Sequence, residues 1–399
     1  MNSKFKICFL IENPDISGGT YVIFEHAIRI QRRQNVEVIL ITELPISQKQ
    51  LFWHPDANEL IWKTYNEIVN DEFDAVIATW WPTAYEAHRI KSKSYLYFNQ
   101  SVESKFYKDS DVQSRLYADS TYLLNLLIIT EATWIQNYLR NNYGTEAKLV
   151  LNGIRKDIYT TNGISVASKD PNKLRVLIEG PLGVFFKNTE KAVQLAKQSE
   201  ADEIWLLTSS NISSFPGVDK VFSRIPILKT PEVYRSCDLL IKLSYVEGMF
   251  GPPLEMFHCG GTAIVYDVTG HDEYIIHNKN GIVVKTDDEQ AVIDSINSLK
   301  RDPALLKRLK EGSKETALRW NDWETASEHF EKAICELIIA SKQTIFELSE
   351  RTRIIKGWLK VSNQSPRKRK NIDSLKRFIN AHPFLYGIAK KIKPFLLKN

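Results

Sequence analysis

Short apolar runs alternate with segments of helical periodicity along this chain, and they do so in two successive series. The run "FKICFLI" (5–11) ends at the turn-forming stretch "ENPDISGG". The next segment, 20–34, carries apolar side chains at helical spacing through Val22, Phe24, Ala27 and Ile30, and "VEVILIT" (36–42) follows. A strand, a helix and a second strand in this order predict a parallel sheet covered by helices. "FDAVIAT" (73–79), "SYLYFNQ" (94–100) and "LLIIT" (126–130) extend the first series. The second runs through "LRVLIEG" (174–180), "EIWLLTS" (203–209), "KVFSRI" (220–225), "DLLIKLS" (238–244), "TAIVYD" (262–267) and "GIVVK" (281–285), with helices predicted at 189–199, 252–259 and 287–301. The polar, Asn-, Gly- and Ser-containing stretch 150–173 separates them, and a long helix is predicted at 320–342.

A chain of 399 residues is long for one core and suits two. The reading is an α/β protein with a Rossmann-like domain at 1–160, a second at 161–320, a helix at 321–342 and a basic tail at 343–399. Doubly wound sheets bind ligands at the carboxyl ends of their strands, where strand order switches. With two such halves, the cleft between them is the expected site.

Composition narrows the class. With 43% apolar and 25% charged residues the chain is neither collagenous, nor a coiled coil, nor disordered throughout. Its four cysteines, Cys8, Cys237, Cys259 and Cys335, form no C-x-x-C pair and read as buried thiols in a reducing compartment. The N-terminal apolar run is far shorter than the ~20 residues of a membrane span and lacks a small-residue cleavage site, so it reads as a first strand and the expected location is cytoplasmic. The net charge of +5 is uneven: residues 341–399 carry 15 Lys/Arg against 3 Asp/Glu, a net of +12, which leaves −7 for the rest. In that tail Lys and Arg interleave with Ile, Trp, Leu, Phe and Tyr. This pattern suits an amphipathic helix on an anionic membrane, each near-surface cation contributing ~1 kcal/mol, better than it suits nucleic acid, and a solvated, partly disordered tail is the plain alternative. The expected location is then peripheral, at the inner face of the cell membrane.

The chemistry is concentrated in "SYVEGMFGPPLEMFHCGG" (244–261). Glu247 and Glu255 bracket seven residues, among them the loop Gly248, Met249, Phe250 and Gly251 and the pair Pro252-Pro253. Proline suits a helix start, and Gly260 suits its end. Free amides and the positive dipole end of such a helix suit a diphosphate. Glu255, placed in the first helical turn, accepts from ribose hydroxyls in this reading, and Glu247 from hydroxyls of a sugar. The plain alternative is that Glu255 complements the helix dipole and Glu247 is solvated.

"EGMFGPPLE" resembles the Glu, seven residues, Glu motif of glycosyltransferase family 4, whose members have the GT-B fold: two Rossmann-like domains facing across a cleft. "LNGI" (151–154), "SCDLLIKLS", "VTGHDEYI" (268–275) and "NGIVV" resemble further parts of that family over roughly residues 5–340. "FNQSVESKFY" and "EGPLGVFFKN" are similar to bacterial rhamnosyltransferases that build surface polysaccharides. The resemblance implies retaining, hexosyltransferase-type transfer from a nucleoside-diphosphate sugar to a saccharide or lipid-linked acceptor, rhamnose from a deoxythymidine diphosphate being the suggested donor. It makes Glu247 and Lys187 the catalytic pair. It places the donor against Gly18, Gly19, Lys187, the Gly248–Gly251 loop with the amides of Met249 and Phe250, the amides near Leu254 facing the β-phosphate, and Glu255. It implies no cofactor and no essential metal. It also implies that the last long helix returns to the N-terminal domain.

Two departures from the family pattern stand out. Pro181 occupies the expected place of an arginine on the diphosphate, for which Arg224 or Lys242 are the candidate substitutes. Gln100 occupies the place of a histidine near the reacting sugar, with Glu103 close by as a second candidate acceptor contact; His26, His88 and His271 are the alternative histidines. Asp109 and Asp111 imitate a metal-binding Asp-x-Asp but follow no apolar strand, so they read as a surface loop or helix cap. The rival functions are a GT-B-fold epimerase or phosphorylase, and a non-catalytic GT-B-like binding protein.

Overall fold

The computed structural model describes residues 4–362. The N-terminal half is built on strands β1 (Phe5–Leu10), β2 (Val36–Thr42), β3 (Ile61–Thr64), β5 (Ala75–Ala78), β7 (Tyr95–Asn99), β8 (Leu127–Thr130) and β9 (Ala147–Leu149). They form one parallel sheet in the order β3-β2-β1-β5-β7-β8-β9, while β4 (Glu72–Phe73) and β6 (Lys91–Ser92) make a small separate pair. Helices α1 (Gly18–Arg33), α2 (Trp81–Glu86), α3 (Val112–Ser120) and α4 (Thr133–Tyr143) belong to this half.

The C-terminal half holds β10 (Arg175–Glu179), β11 (Glu203–Thr208), β12 (Lys220–Ser223), β13 (Leu239–Lys242), β14 (Thr262–Tyr266) and β15 (Ile282–Val284), parallel in the order β12-β11-β10-β13-β14-β15. Its helices are α5 (Thr189–Gln198), α6 (Thr230–Ser236), α7 (Gly251–His258), α8 (Glu289–Arg301) and α9 (Pro303–Arg319). Two further helices follow, α10 (Trp323–Ala340) and α11 (Ile345–Ser362).

The inner strands are largely apolar because both faces of each sheet are covered, whereas the edge strands β3, β9 and β12 carry lysines. In β1 the period of two sends Ile7 and Phe9 into one core and Cys8 and Leu10 into another. β10 does the same with Leu177 on one side and Val176 and Ile178 on the other. Helix α1 starts at Ser17, whose hydroxyl accepts the Thr20 N–H at 3.0 Å, and buries Val22, Phe24, Ala27 and Ile30. Helix α10 crosses back to this half: Trp323 and Phe330 join the core of Phe9, and Glu324 and Glu331 each meet Arg33 at 2.6 Å.

Two crossovers join the halves side by side. The Ile154 N–H donates to the Asn321 carbonyl at 3.1 Å, and the Trp320 indole N–H donates to the Asn152 carbonyl at 2.8 Å. The glycine of "LNGI" is a packing requirement, since a Cβ at Gly153 would stand 2.3 Å from the Asp322 carbonyl oxygen.

The structure adds what periodicity did not show. β3 and β9 are edge strands of four and three residues, too short to register as a pattern. Helix α9 fills the stretch between the helices expected at 287–301 and 320–342.

The larger correction concerns the tail expected from 343. Its first part is α11, which buries Leu348, Ile355 and Leu359 in the same core as Tyr85 and Leu124, with Lys356 paired to Glu86 at 3.0 Å. The apolar face of α11 is therefore covered by protein and not offered to a membrane. The membrane-associating reading now falls on residues 363–399, with ten Lys/Arg against one Asp, which lie outside the described residues. Among the described residues no helix is long and apolar enough to cross a membrane.

Candidate functional site

Strand order reverses in both sheets, between β1 and β5 in one and between β10 and β13 in the other. The loops that leave these strands carry the residues singled out by sequence. β1 leads to Gly18 and Gly19 at the start of α1, β10 to Lys187, and β13 to Glu247 and α7.

The β13–α7 loop is anchored by the fully buried Phe250 and Leu254. The Tyr274 hydroxyl donates to the Phe250 carbonyl, and the Thr269 hydroxyl donates to the Glu247 carbonyl at 3.2 Å. Pro252 and Pro253 remove two of the four N–H groups that a helix start leaves unbonded, so Phe250 and Gly251 supply the remaining amides. Glu255 stands in the second turn of α7, not the first, because the helix begins at Gly251 and counts Glu255 as its fifth residue. It is half-buried, and its carboxyl is pushed up to about 7 by burial, with Glu179 reinforcing the rise and the hydroxyls of Tyr234 and Tyr159 opposing it.

Glu247 is buried and lies between two lysines. The Lys187 ammonium donates to its Oε2 at 2.8 Å, and the Lys242 Nζ stands 3.7 Å from its Oε1. Burial alone would raise the Glu247 carboxyl; Lys187 and Lys242 outweigh it and hold the group below the usual glutamate range. Lys242 is 3% exposed and donates to Glu179 Oε2 at 2.6 Å. Burial disfavours its charge, but Glu179 and Glu247 more than compensate and hold it protonated. Of the two candidate substitutes for the arginine missing at Pro181, Lys242 is the one beside Glu247. Arg224 turns instead to Asp15 of the N-terminal half at 2.6 Å. Gly180, with φ +149°, makes the turn that brings Lys187 back, and a Cβ there would stand 2.5 Å from the Thr189 hydroxyl oxygen.

From the N-terminal half, Gly18 and Gly19 open α1 with their amides at its positive end. The Gln100 amide donates to the Gly19 carbonyl at 3.3 Å, and a Cβ at Gly248 would stand 2.0 Å from the Gln100 carbonyl oxygen. The structure thus brings Gly19, Gln100 and Gly248 together.

Glu103 is a correction. Its Oε2 accepts the Trp81 N–H and the Tyr97 hydroxyl, both at 2.7 Å, and burial pushes its carboxyl up to about 8. It faces the core and holds the start of α2, so it is not an acceptor contact. The histidines are also committed elsewhere. His26 is buried against Phe330, ring centroids 4.2 Å apart, and burial drives it down to about 3. His88 Nδ1 bonds the Tyr85 carbonyl, and His271 Nδ1 the Val268 carbonyl. Asp111 caps α3 by accepting the Ser114 N–H at 3.1 Å, and Asp109 pairs with Arg115.

Sequence reading singled out neither Glu179, Tyr159 and Tyr234, which surround Lys242 and Glu255, nor Glu131. Glu131, just beyond β8, accepts the Met249 N–H at 3.0 Å. The Met249 amide, expected on a sugar hydroxyl, is taken up by this carboxylate. The available signal was an acidic residue directly after a strand of a doubly wound sheet.

Residues 220–316 match the family described as glycosyl transferases group 1. No curated protein matches the chain. Among solved structures, a sucrose-phosphate synthase from Thermosynechococcus elongatus superposes with TM-score 0.67 at 16% identity, covering 85% of this chain and all of its own. HepE of Anabaena, solved with UDP and glucose, gives TM-score 0.67 at 14% identity over 84% of this chain and all of its own. A TarM variant of S. aureus, solved with fondaparinux, α-GlcNAc-glycerol and UDP, gives 0.67 at 10% over 83% of this chain and 99% of its own.

The fold is GT-B. The group 1 match begins at β12, spans the β13–α7 loop with Glu247 and Glu255, and ends within α9. In GT-B terms, the matched segment supplies one wall of the cleft, and Gly18, Gly19 and Gln100 come from the opposite domain.

Proposed function

We propose that this protein transfers a sugar from a nucleoside diphosphate to an acceptor hydroxyl with retention of anomeric configuration. The observation that carries the reading is the buried Glu247 held between Lys187 and Lys242 at the strand-order switch, beside the start of α7. The group 1 match and the nucleotide-bound GT-B neighbours support it.

In this reading Lys187 is drawn off Glu247 toward the diphosphate as the donor enters. Two cations and the amides at the starts of α1 and α7 then stabilise the charge that develops on the leaving group. Glu247 accepts hydroxyls of the donor sugar, and Glu255 those of the ribose. The bond from C1 to the phosphate oxygen breaks, and the acceptor oxygen bonds to C1 from the same face. The departing phosphate takes the acceptor proton. No metal is required for these steps. A saccharide or lipid-linked acceptor, rhamnose as the transferred sugar, and a role in cell-surface polysaccharide synthesis are the finer parts of the proposal, carried by the resemblance of "FNQSVESKFY" and "EGPLGVFFKN". Residues 363–399 are proposed to hold the enzyme at an anionic membrane surface.

The test is a thermal-shift screen against nucleoside diphosphates and their sugars, dTDP-rhamnose and UDP-glucose included. A ligand at 100 times its Kd stabilises by ~2.7 kcal/mol, a readily measured rise. If no nucleotide shifts the transition, the donor site is misassigned. Turnover of a nucleotide sugar in the absence of any acceptor would point to an epimerase instead.

A further inference from the structure

Glu131 leaves β8 on the N-terminal side and reaches across to the donor loop of the C-terminal half. It is 4% exposed. Its Oε1 accepts the Met249 N–H at 3.0 Å, and its Oε2 accepts the Asn152 side-chain N–H at 2.8 Å. Asn152 lies in the first crossover between the halves, and its carbonyl is bonded by Trp320 of the second. One residue of α4 reinforces the same contact: the Trp134 indole N–H donates to the Gly248 carbonyl at 3.1 Å. The fit is close, since a Cβ at Gly248 would stand 2.6 Å from Glu131 Oε1.

This carboxylate is expensive to keep. Among the described residues its hydrogen-bond donors are two amides, and no cation lies within ion-pair distance of it. Burial is the main reason its carboxyl is pushed up to about 7, with Glu247 adding to the rise; the hydrogen bonds from Met249 and Asn152, and then the Lys187 charge, oppose it. A buried, cation-free carboxylate is poor material for stability alone. Its two bonds instead join the segment about which the halves meet to the loop that carries Glu247.

We propose that Glu131 is a positioning residue for the sugar part of the donor. Through the Met249 amide it sets the Glu247–Gly251 loop, and through Asn152 it ties that loop to the crossover, so sugar recognition depends on both halves being engaged. The inference rests on the donor-site reading above.

Glu131→Gln gives a conservative control. Its amide oxygen can still accept the Met249 N–H, and Asn152 can rotate its otherwise unpartnered Oδ1 to accept from the new amide. The measurement is isothermal titration of wild type, Glu131→Gln and Glu131→Ala with UDP and UDP-glucose, and with dTDP and dTDP-rhamnose, using whichever pair the wild type binds. For Glu131→Ala the nucleoside diphosphate is expected to bind within about twofold of wild type and the nucleotide sugar at least about tenfold more weakly. Glu131→Gln is expected to recover most of that loss. Its sugar binding should also vary less than that of the wild type between about pH 6 and 8, since Glu247 and Lys187, the charges that face the position, remain in both proteins. Equal weakening of both ligands in Glu131→Ala, or no weakening, overturns the inference. Should Glu131→Ala not fold, an unaltered pH dependence in Glu131→Gln overturns it instead. A wild type that binds no nucleoside diphosphate or nucleotide sugar, in this titration or in the thermal-shift screen, overturns the donor-site reading itself, and the two failures are thereby told apart.

Discussion

Replacing Lys187 with methionine keeps the side-chain bulk and removes the charge that Glu247 accepts at 2.8 Å. Breaking a fully buried ion pair from one side costs roughly 3–5 kcal/mol, and an ordinary charged hydrogen bond roughly 1.5–3. Here the lysine is 23% exposed, and Lys242 remains 3.7 Å from the same carboxylate. The expected loss is therefore about 2 kcal/mol near pH 7.5, read from urea denaturation. The pH dependence carries a definite sign. The folded-state carboxyl of Glu247 is held below its unfolded value, so this stabilisation is complete above roughly pH 4.3 and is lost as pH falls through the folded value. The gap between wild type and Lys187→Met should accordingly close in acid. A double-mutant cycle isolates the pair: in a Glu247→Gln background the same substitution should cost less than about 0.5 kcal/mol. A loss of about 2 kcal/mol in both backgrounds would show that Lys187 stabilises something other than Glu247, and the argument built on their pairing would fall. Nucleoside diphosphate affinity should drop by roughly ten- to a hundredfold as well, because the same ammonium is assigned to the diphosphate.

Glu255→Gln should bind nucleoside diphosphate roughly ten- to a hundredfold more weakly by calorimetry, and unchanged affinity would remove Glu255 from the ribose site. The free protein should behave oppositely. A carboxyl raised to about 7 destabilises the fold as pH climbs from its unfolded value through 7, so Glu255→Gln should be the more stable protein at pH 8, with the advantage fading toward pH 5. Transfer should survive excess chelator, and a complete loss restored by magnesium or manganese would reject the metal-free mechanism. Leu359→Ala, at a position 1% exposed in the N-terminal core, should cost about 2–5 kcal/mol in thermal or urea unfolding; a cost within about 0.5 would mean α11 is not part of that core. Full-length protein should co-sediment with anionic liposomes in a salt-sensitive way and a 1–362 truncation should not, and equal binding would end the membrane proposal.

The alternation of apolar runs located the strands of both sheets because parallel strands covered on two faces are largely apolar, and β2 and β13 read directly. β3 and β9 escaped because an edge strand with one partner needs only three or four residues. At the candidate site, the residues singled out from sequence were those that carry a local pattern: Glu247 and Glu255 in fixed spacing around two prolines, and Gly18-Gly19 at a helix start. Glu131 has no such local requirement. Its partners Met249 and Asn152 are 118 and 21 residues away in sequence, and only the closure of two domains brings them together.

Glu103 and α11 failed for a different reason. Each was read from charge, and charge does not reveal where a side chain points. Glu103 looked like a polar residue near a strand end, yet Tyr97 and Trp81 satisfy it from within the core. Arg351, Arg353, Lys356 and Lys360 looked like part of one basic surface with the residues beyond 363. In the fold, Arg351 and Lys356 are balanced by Glu347 and Glu86, and Arg353 by Glu350, while Leu348, Ile355 and Leu359 turn inward. The net charge of 341–399 thus belongs to two objects. Up to 362 the basic residues decorate a helix that the N-terminal domain needs for its core, so cutting at 340 would test stability and membrane binding at once. Only a cut after 362 leaves that core whole and puts the charge of the remaining segment to the test by itself.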